Sequence, residues 1–135
     1  GRPVAVVGDF PFVRKLRSTT SELWVFEQGD KVGCGTLTEE LMPAVLPRAE
    51  LAAISSTTLL NHSLERILGH LDPDCFTILV GPSTPMTPVL LDMGFDALCG
   101  SVVEDPERTL ACLSQGATFR QVQGVRHVVM GLSGF

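Results

Sequence analysis

Short apolar runs recur along the chain at intervals that leave room for one helix between each pair. VAVVG (4–8), LWVFE (23–27), LAAIS (51–55), FTILVG (76–81), ALCG (97–100) and HVVM (127–130) are apolar or β-rich without strict alternation, the pattern of strands covered on both faces. Helices are predicted near 10–18, 38–46, 58–71, 85–93 and 105–115. In TLLNHSLERILGHL the residues Leu60, Leu64, Ile67, Leu68 and Leu71 fall on one stripe at helical spacing, and Gly69 and Pro73 mark its end. EDPERTLACL offers Asp105 as an N-cap and Pro106 at the first helical position. Strand-helix repetition with short links implies parallel strands joined by right-handed crossovers. The expected fold is therefore α/β: one three-layer, Rossmann-like, doubly wound domain over 1–135, with a mainly parallel sheet of about six strands in the order 3-2-1-4-5-6.

In such sheets ligands sit beyond the carboxyl ends of the strands, where the strand order reverses, which in that order lies between strands 1 and 4. The loops that reach this edge are GDFPF after strand 1, EQGDKVGCG after strand 2, SSTTLLN after strand 3 and GPSTP after strand 4. All are rich in Gly, Ser, Thr or Pro. Thr84 before Pro85 reads as an ordinary helix start, with Ser83 free to point at a guest. SSTT is an N-cap cluster first, yet it holds more hydroxyls than one cap requires. Asn61 falls one turn into the following helix, where an amide is a mediocre helix former. Glu27 closes strand 2, 19 residues after Gly8, close to the ~20-residue spacing of the ribose-binding acid in dinucleotide folds. GDFPF has a single glycine where the phosphate fingerprint needs GxGxxG, and Phe10 with Pro11 would obstruct a pyrophosphate, so a standard NAD or FAD site is not expected.

Composition narrows the setting. A chain of 135 residues suits one domain, and 44% hydrophobic with 19% charged residues is a globular balance. A net charge of −5 without a run of Lys or Arg gives no footprint for nucleic acid or an anionic membrane. No apolar stretch approaches the ~20 residues of a spanning helix, and no export signal is visible. Cys34, Cys75, Cys99 and Cys112 form no CxxC pair and read as reduced cytoplasmic thiols, Cys34 in GCG being a loop thiol or a soft metal ligand. His62 and His70 stand too far apart to chelate one ion at i, i+4, His70 reads as a helix-end cation, and His127 begins an apolar strand. No closed zinc-type metal site and no hydrolase motif is expected. The chain begins GRPVAVVGDF without Met, which fits a domain cut from a longer protein.

VAVVGDFPFVRKL, LWVFE, ISSTTLLNHSLERIL, the stretch from LVGPSTP to PERTL and the closing GVRHVVM resemble, across nearly the whole chain, the C-terminal Rossmann-like domain of the “putative heavy-metal chelation” family. The most specific pieces are the glycine-phenylalanine-proline turn of 8–11, Glu27, the hydroxyl-rich turn of 55–63 and the GPSTP loop of 81–85. Where that family has Thr-Gly-Thr-Thr and Asn-Gly-Thr, this chain has Ser55-Ser56-Thr57-Thr58 and Asn61-His62-Ser63. The resemblance implies a cleft whose other wall comes from a smaller N-terminal domain, or from a second subunit in an oligomer, and does not establish a reaction.

The expected ligand-binding set is Gly8, Asp9, Phe10, Pro11, Glu27, Ser55, Thr57, Thr58, Asn61, Gly81, Pro82, Ser83 and Thr84. Three functions fit it. The first is a chelation or ligand-binding domain for a small anionic metabolite or metal chelate, with helix N-termini adding anion affinity. The second is an enzyme on a nucleotide-like or pterin-like cofactor, with Glu27 fixing its hydroxyls or ring nitrogens. The third is a non-catalytic interaction module.

Overall fold

The computed structural model describes residues 1–27 and 35–131. Six strands form one sheet: β1 (Val4–Val7), β2 (Leu23–Phe26), β3 (Leu51–Ser55), β4 (Phe76–Val80), β5 (Ala97–Val103) and β6 (Val125–Met130). β1 to β5 are parallel, and β6 runs antiparallel along β5 from Leu98↔Met130 to Val103↔Val125. The α/β, Rossmann-like expectation holds, and every predicted strand forms.

The strand order is 2-1-3-4-5-6, not 3-2-1-4-5-6. Burial explains the difference. β3 buries three consecutive residues, Ala52, Ala53 and Ile54, and so belongs in the middle of the sheet. β2 leaves Leu23 and Trp24 half-exposed and takes the edge, where the Arg48 guanidinium lies 5.0 Å from the Trp24 ring centroid. The order therefore reverses between β1 and β3, not between β1 and β4.

Residues alternate between two cores, as the period of a strand requires. Ala5, Val7, Ile54, Leu79 and Leu98 pack with Met42, Leu46, Leu64, Ile67, Leu90 and Phe95. Val4, Val6, Val25 and Ala53 pack with Phe10, Phe12, Val13 and Leu16. The helices are α1 (Val13–Leu16), α2 (Met42–Val45), α3 (Thr57–Leu60), α4 (Leu64–Leu68), α5 (Pro88–Asp92) and α6 (Pro106–Ser114). None of those described is long and apolar enough to cross a membrane.

Two helix expectations are corrected. The stretch 58–71 is broken into α3 and α4 because His62 takes a left-handed backbone, φ 58°. Leu64 and Ile67 keep their place in the core, while Leu60, before the break, is 77% exposed. Thr84 and Pro85 do not start the next helix. Thr87 caps α5, its Oγ1 accepting from the Val89 N–H at 3.4 Å, and Pro88 opens the helix. Asp105 caps α6 as expected, accepting from the Arg108 N–H at 3.0 Å.

Candidate functional site

β1, β2 and β3 end at a common edge, and a cavity of about 400 Å3 opens there. The chain can turn away from β1 because Gly8 has φ 121°, and a Cβ at that position would lie 2.8 Å from Ser55 Cβ. Its N–H donates to the Phe26 carbonyl at 2.9 Å, holding the β1 and β2 ends together. After the undescribed stretch 28–34, which contains Cys34, the chain returns to the sheet: the Leu37 N–H donates to Val25 O at 2.6 Å and Leu37 bridges Phe26. That return carries Glu39 and Met42 to the cavity wall.

Seven of the expected residues line this cavity, namely Gly8, Asp9, Glu27, Ser55, Thr57, Thr58 and Asn61. Ser55 Oγ and Thr57 Oγ1 lie 2.9 Å apart, and the Thr57 N–H reaches Ser55 Oγ at 3.3 Å, so the two hydroxyls form one polar ledge. Thr58 is buried, and its hydroxyl donates to Ser55 O at 2.7 Å. Asn61 Oδ1 accepts from the Ser63 N–H at 3.1 Å and the Ser63 hydroxyl at 2.6 Å, which organises the turn around His62. Thr58 and Asn61 thus shape the loop as well as the wall.

The remaining expected residues lie elsewhere. Phe10 and Pro11 face a neighbouring cavity that shares Asp9 and Glu27 with the first. Gly81, Pro82, Ser83 and Thr84 are not in the lining. Gly81 has φ 154°, and a Cβ there would collide with Ser56 Oγ. Ser83 Oγ lies 3.1 Å from Ser56 Oγ, so the GPSTP loop braces the loop after β3. Thr84 is 4% exposed, and its Oγ1 is buried without a hydrogen-bond partner among the described residues. Its hydroxyl is sealed from any guest in this conformation.

Val7, Phe26, Glu39 and Met42 complete the wall and are absent from the expected set. Val7 and Phe26 directly precede Gly8 and Glu27, the residues expected to end those strands at the ligand edge. Glu39 carries no such signal, because the Leu37 bridge that positions it depends on a non-local pairing.

The lining is acidic. Asp9, Glu27 and Glu39 supply three carboxylates, no Lys or Arg among the described residues lines the cavity with them, and Glu39 is ion-paired with Arg66 at 2.7 Å. Yet no three His, Cys, Asp or Glu among the described residues are grouped closely enough to hold a metal ion. α3 has four residues, too short for the cumulative dipole of a long helix. Among the described residues the wall thus offers carboxylates that attract positive charge and, with the hydroxyls, accept hydrogen bonds.

Residues 1–130 match the model of a family described as “Putative heavy-metal chelation”. An uncharacterized protein of Methanocaldococcus jannaschii is 28% identical over 116 residues, covering 83% of this chain and 45% of the relative. Two crystal structures of proteins of unknown function from the same family are similar. The one from Desulfitobacterium hafniense has TM-score 0.82 and 25% identity, over 97% of this chain and 53% of that one. The one from Pyrococcus horikoshii has TM-score 0.85 and 24% identity, over 96% and 54%. A “putative NADP oxidoreductase” from Bacteroides fragilis, TM-score 0.55 and 13% identical over 74% of this chain and 42% of that one, shares the fold alone. The chain spans about half the length of these relatives.

Proposed function

This chain belongs to the “Putative heavy-metal chelation” family, and from that premise we propose that its β1–β3 cavity binds a small metal chelate: a metal ion already held by an organic ligand. The observation that carries this reading is the pairing of an acidic, hydroxyl-lined cavity with the absence, among the described residues, of a cluster able to hold a metal ion by itself. Asp9 and Glu27 favour the positive centre of the chelate or donors on its ligand, and the Ser55–Thr57 ledge offers neutral hydrogen bonds. A bare anionic metabolite would meet carboxylates on this wall, so the chelate is the better guest.

A second reading rests on Glu27, which stands at the end of β2 beside Gly8. There it would accept hydrogen bonds from the hydroxyls or ring N–H groups of a nucleotide-like or pterin-like compound. Thermal shift with nickel(II) citrate, citrate, nickel(II), adenosine and a reduced pterin separates the two readings. The chelate reading expects the largest shift from nickel(II) citrate and its loss in Glu27→Gln. A shift from adenosine or the pterin alone would favour the second reading, and an equal shift from free nickel(II) in both proteins would exclude the first.

A further inference from the structure

The cavity of about 680 Å3 on the other side of Asp9 and Glu27 has a different charge. Arg14 and Arg17 line it, three residues apart on and just after the single turn of α1, so their side chains leave from the same face. Phe10 and Val25 give it an apolar wall, Phe10 being fixed by stacking on Phe12 with ring centroids 4.8 Å apart. The ion pairs among the described residues engage Arg2, Arg48, Arg66 and Arg126, leaving Arg14 and Arg17 without a carboxylate partner. Among the described residues, Arg17 donates to the Gly35 carbonyl at 3.4 Å. Two arginines therefore line a cavity that also contains Asp9 and Glu27, the carboxylates it shares with the β1–β3 cavity.

We propose that Arg14 and Arg17 form an anion subsite for the free carboxylates of a polycarboxylate metal chelate whose metal centre lies towards Asp9 and Glu27. This deepens the chelate reading above and rests on it for the position of the metal. A guanidinium presents a planar fork of donors that matches a carboxylate in a way an ammonium cannot. The shared carboxylates repel a free anion, and the metal relieves that repulsion. The surface thus selects a guest positive at its centre and negative at its rim, which neither metal nor ligand is alone.

Isothermal titration of the full chain tests this with four probes: nickel(II) citrate, citrate, nickel(II) and nickel(II) triethylenetetramine, a cationic chelate without carboxylates. Both arginines are exposed, so Arg14→Ala/Arg17→Ala should keep the wild-type melting temperature. It should bind nickel(II) citrate about tenfold more weakly or worse, and the cationic chelate unchanged or more tightly. Arg14→Lys/Arg17→Lys should recover part of the loss. Unchanged affinity for nickel(II) citrate in the Ala variant, an equal loss for the cationic chelate, or a wild type that binds neither citrate nor its nickel complex would overturn the subsite. Arginine-dependent binding of citrate with no gain from nickel would keep the subsite and sink the chelate reading.

Discussion

Ser83 Oγ lies 3.1 Å from Ser56 Oγ, joining the loop after β4 to the loop after β3. Ser56 is 3% exposed, so without Ser83 its hydroxyl would lose that buried partner. Ser83→Ala is expected to cost about 1 kcal/mol in urea unfolding while leaving the binding stoichiometry unchanged. Full loss of binding with unaltered stability would instead make Ser83 a direct ligand contact.

Thr84 predicts the opposite sign. Its buried Oγ1 has no partner among the described residues, and a hydroxyl in that state costs free energy that a methyl of the same shape does not. Thr84→Val should raise the free energy of unfolding measured in urea, by about 1 kcal/mol at most. A variant destabilised by more than that would show that the hydroxyl is satisfied in solution.

His62 holds a left-handed backbone, φ 58°, which costs a residue with a Cβ about 1–2 kcal/mol relative to glycine. Glycine loses more chain entropy on folding, which offsets part of the gain. His62→Gly should therefore raise the melting temperature modestly, whereas His62→Val should lower it. A His62→Gly variant less stable than the wild type would contradict the strain.

The same turn marks how far the chain could be read before its structure. The leucine stripe from 60 to 71 carried a helical period strong enough to hide a break at Asn61-His62-Ser63, because the position that bends is occupied by histidine and glycine is the usual signal. Strand positions were legible from short apolar runs, since burial on both faces leaves a local mark. The strand order was not: placing β3 at the centre depends on the packing of Ala52 and Ala53 against β1 and β4, and two alanines in a short run do not announce a central strand. At the site, Gly8, Asp9, Glu27, Ser55 and Thr57 were found from the rule that ligands lie beyond strand ends. The GPSTP loop satisfied the same rule and lines no part of the cavity, because β4 is one strand beyond the reversal. Arg14 and Arg17 sat in an unremarkable helix and gained meaning only from the cavity they face.

Burial raises the thiols of Cys75 and Cys99 above the ordinary thiol range, and for Cys75 the neighbouring Asp96 and Asp72 add to the rise against a lowering hydrogen bond from Thr77. A thiol whose pKa is higher folded than unfolded keeps its proton in the native state while the unfolded chain loses it. Its contribution is complete below the unfolded pKa and is lost as pH rises through the folded value. Stability should therefore fall on the alkaline side of the unfolded thiol range, and Cys75→Ala should flatten that slope in urea unfolding followed against pH. Stability that stays level through this range would contradict the shift.

The central claim, a chelate held against Glu27 in the β1–β3 cavity, is tested most directly by calorimetric titration of wild type and Glu27→Gln with nickel(II) citrate and with free nickel(II). The expected result is one site for the chelate on the wild type, tighter than for the free ion and weakened about tenfold or more in Glu27→Gln. Equal affinity of the two proteins for the chelate, or free nickel(II) binding as tightly as the chelate, would contradict it.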